Sequence, residues 1–254
     1  MVANPAPGRL GRLPELRLIQ SLWAGVDKLL ADTTLPAEVP IARMVDPAMN
    51  AAMAETALWA VLSLHRGFFT YQAQQRQGLW RPLLQRRADD VPVLVLGRGQ
   101  MGGTAAERLR AQGYPVQTWG RGDGDLAPRL AAAQIVVNLL PLTPATRGLL
   151  DARAFAALPR GAALVNLARG AHVVDTDLLA ALDAGQLAHA VLDVFHTEPL
   201  PPGHPFWQHP RVTVLPHAAA ATDERSAAAV VAANLRALAA GAPIAHLVDR
   251  RRGY

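Results

Sequence analysis

Cysteine is absent from the 254 residues. That absence removes disulfide staples, thiol nucleophiles and thiolate metal sites together, and makes a cytoplasmic setting the expectation. Lysine is almost missing as well, occurring once, at Lys28. Aromatic residues make up only 5% of the chain and charged residues 18%. No apolar run reaches the roughly 18 residues of a membrane span. The opening MVANPAPGRLGRLPEL has no apolar core of the kind a secretory leader carries. Neither a leader nor a membrane anchor is expected.

Apolar residues, by contrast, make up 51% of the chain. Intrinsic disorder needs low hydrophobicity and high net charge, so it is excluded. The length suits one large domain or two modest ones around a sizeable core. The formal charge of +5 and the isoelectric point near 10.6 do not signal nucleic acid. Arginine keeps its proton to very high pH, so a small excess of it gives an extreme isoelectric point. The densest basic clusters, Arg86-Arg87 and Arg250-Arg251-Arg252, are short and lack interleaved aromatics. They read as solvated surface.

Residues 9–46 mix apolar runs with Pro, Gly and Asp breaks, as short strands and loops do. Leu16–Leu22 reads as a strand, and a turn at Trp23-Ala24-Gly25 leads to a short helix near Val26–Leu30. A long helix is expected over 49–77, where Ala54, Leu58, Val61 and Leu62 recur at helical spacing. Pro82 and the polar stretch 85–90 end it and read as a linker. After that, strand, glycine turn and helix alternate. Strands are predicted at Val93–Leu96, Val116–Trp119, 135–140, 163–167, 188–193 and 212–215, with helices at 101–112, 125–133 and 176–184 between them. An Ala-rich helix capped by Thr222 or Asp223 follows over 223–240. Such alternation requires crossover connections and a parallel sheet of the Rossmann type, with helices on both faces.

The segment VLVLGRGQMGG places Gly97, Gly99 and Gly102 in a G-x-G-x-x-G pattern between an apolar strand and a helix. In that context Gly97 permits a tight turn, Gly99 lets backbone approach a pyrophosphate, and Gly102 packs helix on strand. The first N–H groups of the helix, around Gln100 and Met101, would face the phosphates. At the tip of the next strand an NAD site offers an acid to the ribose 2′-hydroxyl, whereas an arginine accommodates a 2′-phosphate. Here the chain reads Trp119-Gly120-Arg121, with no acid before Asp123. Arg121 can grip a phosphate with two parallel bonds, so NADPH is the expected cofactor and NADH the less favoured one.

Three polar residues lie just beyond strand ends, where α/β sheets place their ligands. They are Arg169 in LVNLARG, Glu198 in LDVFHTEP and His217 in VTVLPHAAA. Together with SLWAGVD, MAETALWAVLSLHR, GRGQMG and LLPLTPATRG, and with the terminal LVDRRRGY, these stretches resemble the D-isomer-specific 2-hydroxyacid dehydrogenase family. The resemblance is strongest to its branch of glyoxylate and hydroxypyruvate reductases and covers nearly the whole chain. It implies reduction of a small 2-oxo acid by hydride transfer from a nicotinamide cofactor. His217 would donate the proton, since histidine titrates near neutrality. Glu198 would bond His217 and favour the imidazolium. Arg169 would hold the substrate carboxylate and polarise the carbonyl.

By the same resemblance Asp193 would orient the nicotinamide carboxamide, and Leu140, Pro141, Thr146 and Leu167 would line the cofactor. Trp23 and the backbone of Ala24 and Gly25 would contact substrate. Trp23 and Trp80 both match positions near the substrate mouth, Trp80 in reach of a partner subunit's site, with buried aromatic packing as the alternative for each. The helix 49–77 resembles the family's dimer arm, with Trp59, Leu62, Phe68 and Phe69 exceeding what one face of a monomeric helix needs. The implied domains are a dinucleotide-binding domain over 47–222 and a flavodoxin-like substrate domain from 1–46 and 223–254. The substrate domain lacks an N-terminal supersecondary unit of on the order of 30 to 50 residues. The segment between Arg121 and Ile135 is also short for the family, keeping one helix without a further strand.

Taken one at a time, His217 also fits a strand-end histidine, Glu198 a surface carboxylate and Arg169 an ion-pair residue. The competing functional class is a non-catalytic dinucleotide-binding or regulatory protein, or an inactive remnant of the family. His65, His172, His189, His196, His204, His209 and His246 form no ligand spacing, so no metal is expected.

Overall fold

The computed structural model describes residues 5–254. Residues 1–4, the start of the stretch read as lacking a leader-type core, lie outside the described residues. The chain divides into two compact units. The larger comprises Ala51–Leu140 and Ala145–Ala220, the smaller Met1–Asn50, Pro141–Pro144 and Ala221–Tyr254.

The larger unit is built on six parallel strands: β3 (Val93–Leu96), β4 (Val116–Trp119), β5 (Ile135–Asn138), β6 (Ala162–Asn166), β7 (Leu187–Leu192) and β8 (Val212–Val214). β1 and β2 belong to the smaller unit. The strand order is β4-β3-β5-β6-β7-β8. Apolar runs without polar alternation are what a sheet covered on both faces requires. Successive residues of each strand go to opposite cores. Leu94, Leu96, Val136, Leu164 and Leu192 meet Leu130, Phe155, Leu178 and Leu182 on one face. Val93, Val95, Val137, Val165 and Val191 meet Ala54, Ala57, Val61, Ala105 and Leu109 on the other.

The first core is covered by α5 (Ala127–Ala131), α6 (Ala152–Ala157) and α7 (Asp175–Asp183), the second by α2 (Pro47–His65) and α4 (Gln100–Ala111). The chain runs from β3 outward to the edge strand β4, then back past β3 to β5. The sequence order therefore reverses beside the glycine loop, the place where open α/β sheets bind ligands. Between β4 and β5 the only element is α5.

Two expectations need correction. The helix expected over 49–77 is two helices, α2 and α3 (Phe68–Arg76). Gly67 between them sits at φ +71°, a left-handed conformation that glycine adopts freely and that ends an α-helix. The break turns Leu62 and Phe69 onto the second core and leaves Trp59 and Phe68 exposed. Nor is the polar stretch 85–90 a linker, because it lies inside the larger unit. The side chain of Arg86 donates to Gln134 and to the Asp90 carbonyl, its own carbonyl binds His65, and the Leu83 N–H donates to the Tyr71 hydroxyl. The division between units falls within α2.

In the smaller unit β1 (Ile19–Gln20) and β2 (Ile41–Ala42) pair in parallel, and Leu10, Ile19, Val39 and Ile41 form its core. α1 is the single turn Asp27–Leu30. Asp223 caps α8 (Glu224–Ala239) by accepting from the N–H groups of Arg225 and Ser226. The buried side chains of Gln20 and Asn234 are bonded at 2.7 Å, and the Val248 N–H donates to the Ile41 carbonyl at 2.8 Å. Sequence-distant segments thus make one fold. Among the described residues no helix is long and apolar enough to cross a membrane, and no group of His, Asp or Glu is arranged to hold a metal ion.

Candidate active site

At the carboxyl end of β3 the three glycines answer to different constraints. A Cβ at Gly97 would lie 2.7 Å from the Leu139 carbonyl oxygen, and one at Gly102 only 2.1 Å from the Gly97 oxygen. Packing of loop, strand and helix therefore demands both. Gly99 is different: a Cβ there would meet nothing within 4 Å, and its φ of −73° suits any residue. Internal packing gives no reason for glycine at 99, whereas a pyrophosphate laid against the backbone does. Gly99 caps α4 without a side-chain bond, so the helix's first N–H groups, at Gln100 and Met101, have no intrahelical acceptor. The loop fits a dinucleotide.

The tip of β4 holds a feature the sequence reading passed over. Asp123 receives the Gly120 N–H at 2.9 Å on one oxygen and the Arg98 guanidinium at 2.9 Å on the other. Arg98 also donates to the carbonyl of Arg121 at 3.3 Å. Arg121, the residue expected at a 2′-phosphate, therefore stands in a small assembly with Arg98, Gly120 and Asp123.

The carboxyl ends of β6, β7 and β8 carry the other polar residues. His217 Nδ1 donates to Glu198 Oε2 at 2.9 Å, and Glu198 Oε1 accepts from the Phe195 N–H at 3.1 Å. The side chains are 49% and 23% exposed, so the imidazole reaches solvent while its carboxylate partner is largely covered. His217 itself has φ +54°. For a non-glycine residue that conformation is strained and is held only by its surroundings. Asp193, fully buried, does the holding: its two oxygens accept from Ala218 N at 2.7 Å and Ala219 N at 3.1 Å. Burial raises the Asp193 carboxyl above the usual carboxylate range, and these two bonds act against that shift.

Arg169 is half-buried after β6, its guanidinium donating to the Ala168 carbonyl at 2.7 Å. The next residue, Gly170, fits so closely that a Cβ would fall 2.1 Å from the Phe195 carbonyl carbon. This close approach brings the Arg169 segment against the loop that carries Glu198. Two asparagines not singled out from the sequence organise the same region. Asn138 and Asn166, ending β5 and β6, are buried and bonded to each other at 2.9 Å. They also bond the N–H groups of Leu140 and Ala168 and the carbonyl of Arg169. A polar residue closing an otherwise apolar strand was the available signal.

Leu140 and Leu167 are buried at the same strand ends, and Thr146 lies in the following loop. Beside Ala218 and Ala219 a cleft of about 370 Å³ is lined by Glu55, Thr56, Trp59 and Leu215. A second cavity, about 190 Å³, lies at the opposite end of the sheet among His65, Phe69, Gln134 and His189, and contains none of the expected site residues. Trp80 is 97% exposed, which rules out packing within this chain as its role. Trp23, Ala24, Gly25 and Pro141 belong to the smaller unit. There the Trp23 carbonyl accepts from Met44 N at 3.0 Å and its N–H donates to Ser21 Oγ at 3.0 Å, fixing the turn.

Comparison with known proteins adds four findings. Residues 58–219 match the family model described as D-isomer specific 2-hydroxyacid dehydrogenase, NAD binding domain. A Serratia proteamaculans protein named glyoxylate/hydroxypyruvate reductase A is 44% identical over an alignment covering 100% of this chain and 87% of that protein. Among solved structures, a D-isomer specific 2-hydroxyacid dehydrogenase from Xanthobacter autotrophicus, in complex with NADPH and MES, superposes with a TM-score of 0.95 at 43% identity, covering 98% of this chain and 83% of that one. An NADPH-dependent glyoxylate/hydroxypyruvate reductase from Sinorhizobium meliloti, in complex with NADP and sulfate, does so with a TM-score of 0.92 at 36% identity, covering 98% and 84%.

Proposed function

The chain belongs to the D-isomer specific 2-hydroxyacid dehydrogenase family, and on that footing we propose that it reduces glyoxylate or hydroxypyruvate to the 2-hydroxy acid with NADPH. The observation that carries the proposal is the His217–Glu198 bond of 2.9 Å at the carboxyl end of a parallel sheet, beside a glycine loop open at Gly99. A bound NADPH supplies the hydride. This chain's residues do the rest. With Nδ1 committed to Glu198, His217 carries the transferable proton on Nε2 and gives it to the substrate's carbonyl oxygen. Glu198 stabilises the positive imidazolium before transfer, and Asp193 fixes the backbone that aims the ring. Arg169 holds the substrate carboxylate and meets the charge growing on the carbonyl oxygen.

On family grounds Asp193 also contacts the nicotinamide carboxamide, since each carboxylate oxygen keeps a lone pair after accepting one backbone N–H. Gly97, Gly99, Gln100, Met101 and Gly102 hold the pyrophosphate. Gly120 and Arg121 take the adenosine ribose with its 2′-phosphate, and Leu140, Pro141, Thr146 and Leu167 line the cofactor. Trp23, Ala24 and Gly25 contact substrate. The residues 47–222 then serve as the dinucleotide domain, with 1–46 and 223–254 as the substrate domain.

A homodimer and a cytoplasmic location belong to the same proposal. The homodimer is supported by Trp59, Phe68, Trp80 and Leu84, all exposed along α2, α3 and the segment after them. A cytoplasmic location requires no disulfide, and a chain without cysteine forms none. Light scattering that shows a monomer at micromolar concentration would refute the dimer. Absorbance at the NADPH band, with glyoxylate or hydroxypyruvate added, tests the activity: steady oxidation with at least one is expected. NADPH binding with no turnover on either would instead favour a regulatory dinucleotide-binding protein.

A further inference from the structure

We infer that Arg98 sets the preference for a 2′-phosphorylated cofactor by taking Asp123 out of play. The inference rests on the NADPH reading above and deepens it. An acid at the tip of the strand after the glycine loop accepts a hydrogen bond from a ribose 2′-hydroxyl and repels a 2′-phosphate. Asp123 is the first acid beyond β4, so it is the residue able to give this site NAD character. Its charge is countered and its orientation fixed by other groups. One oxygen holds the Gly120 N–H and the other the Arg98 guanidinium, each at 2.9 Å.

Arg98 is placed for this task by the loop itself. It is the residue between Gly97 and Gly99, so its backbone belongs to the pyrophosphate cradle while its side chain crosses to the tip of β4. There it lies over Gly120, whose added Cβ would come within 3.2 Å of Arg98 Nε. A second guanidinium N–H donates to the Arg121 carbonyl at 3.3 Å. One side chain thus fixes the acid and the loop that presents Arg121. Asp123 is 15% exposed and Arg98 50% exposed. The pair is therefore partly screened by solvent, and its consequence is selectivity more than stability. With Arg98 in place, a guanidinium counters the Asp123 carboxylate at this tip. Without it that negative charge is left to act on the ribose site.

Cofactor affinity, read from fluorescence titrations of the full chain with NADPH and NADH, tests this without turnover. R98Q is expected to lower the NADPH-over-NADH preference at least tenfold. R98Q/D123N is expected to restore it to within threefold of the unsubstituted protein, because neutralising Asp123 replaces what Arg98 did. Since R98Q could loosen the loop, R98K serves as the second variant: it keeps the charge and is expected to retain more of the preference than R98Q. A preference unchanged within threefold in R98Q overturns the inference, as does a double variant as impaired as R98Q, or an R98K no better than R98Q. If the unsubstituted protein binds NADH more tightly than NADPH, the cofactor reading falls first and this inference with it. If it prefers NADPH and R98Q does equally, only the inference falls.

Discussion

The two ends of the same parallel sheet each hold a histidine, and the two are treated in opposite ways. At the carboxyl end His217 faces solvent, pairs with the carboxylate of Glu198 and sits on a left-handed backbone held by Asp193. At the amino end of β7, His189 stacks flat on Phe69, ring centroids 4.4 Å apart, and pairs with the Thr213 hydroxyl at 2.9 Å. Burial, with His209 nearby, pushes His189 down to about 4 from an ordinary 6.5, so it stays neutral. The same side chain is given a carboxylate partner on a strained loop at one end, as the proposed proton donor requires, and an aromatic face and a hydroxyl at the other, as packing requires. Loops at the carboxyl ends of parallel strands can diverge around a rigid frame.

The sharpest way to break this comparison is His217→Ala. Loss of the proton donor is expected to lower kcat for 2-oxo acid reduction by about 10³-fold, with the NADPH dissociation constant within threefold of the unsubstituted protein. An activity loss under tenfold would remove His217 from the role. Glu198→Gln keeps a hydrogen-bond acceptor near Nδ1 but removes the charge. It should cost on the order of 100-fold in kcat with a smaller effect on KM, measured by the same absorbance assay. At the other end, His189→Gln should leave kcat within about threefold, a larger loss erasing the contrast between the two histidines.

The effect of His189→Gln belongs instead in stability against pH. Because the folded value lies below the unfolded one, the unfolded chain takes up the proton first as pH falls. The contribution of neutral His189 is complete above about pH 6.5 and drains away toward pH 4. Thermal melts across that window should show a decline worth at most roughly 3 kcal/mol from this group, and the glutamine variant should decline less. Parallel curves would show that His189 is not the group involved.

Most of the sheet was legible because β3, β5 and β6 are unbroken apolar runs closed by glycine, proline or asparagine. The candidate site was legible for a related reason. Gly97, Arg169, Glu198 and His217 are the residues that interrupt apolar texture just past those runs. What escaped depends on contacts remote in sequence. Arg98 and Asp123 belong to different loops, and neither stands out until β3 and β4 lie side by side. The linker expected at 85–90 is polar, but the bonds of Arg86 to Gln134 and His65 make it part of the larger unit. The strand expected over Leu16–Leu22 shrinks to Ile19–Gln20 because β2, its pairing partner, is only two residues long. Gly67 was passed over because a single glycine is tolerated in a helical pattern, and only its φ shows that the helix stops there.

The bond between Gln20 and Asn234 spans 214 positions, and that span has a consequence for how the protein is made. A ribosome delivers Gln20 early and Asn234 late. At about 5–20 residues per second the interval is roughly ten to forty seconds. During it the first half of the smaller unit has no partner, and Ile19 and Ile41 cannot be fully enclosed. Residues 51–220 emerge meanwhile and hold nearly everything the larger unit needs. Synthesis therefore imposes an order on folding: the six-stranded frame can close first, and the β1–β2 segment waits for α8. That waiting segment is where chaperone engagement during translation would concentrate.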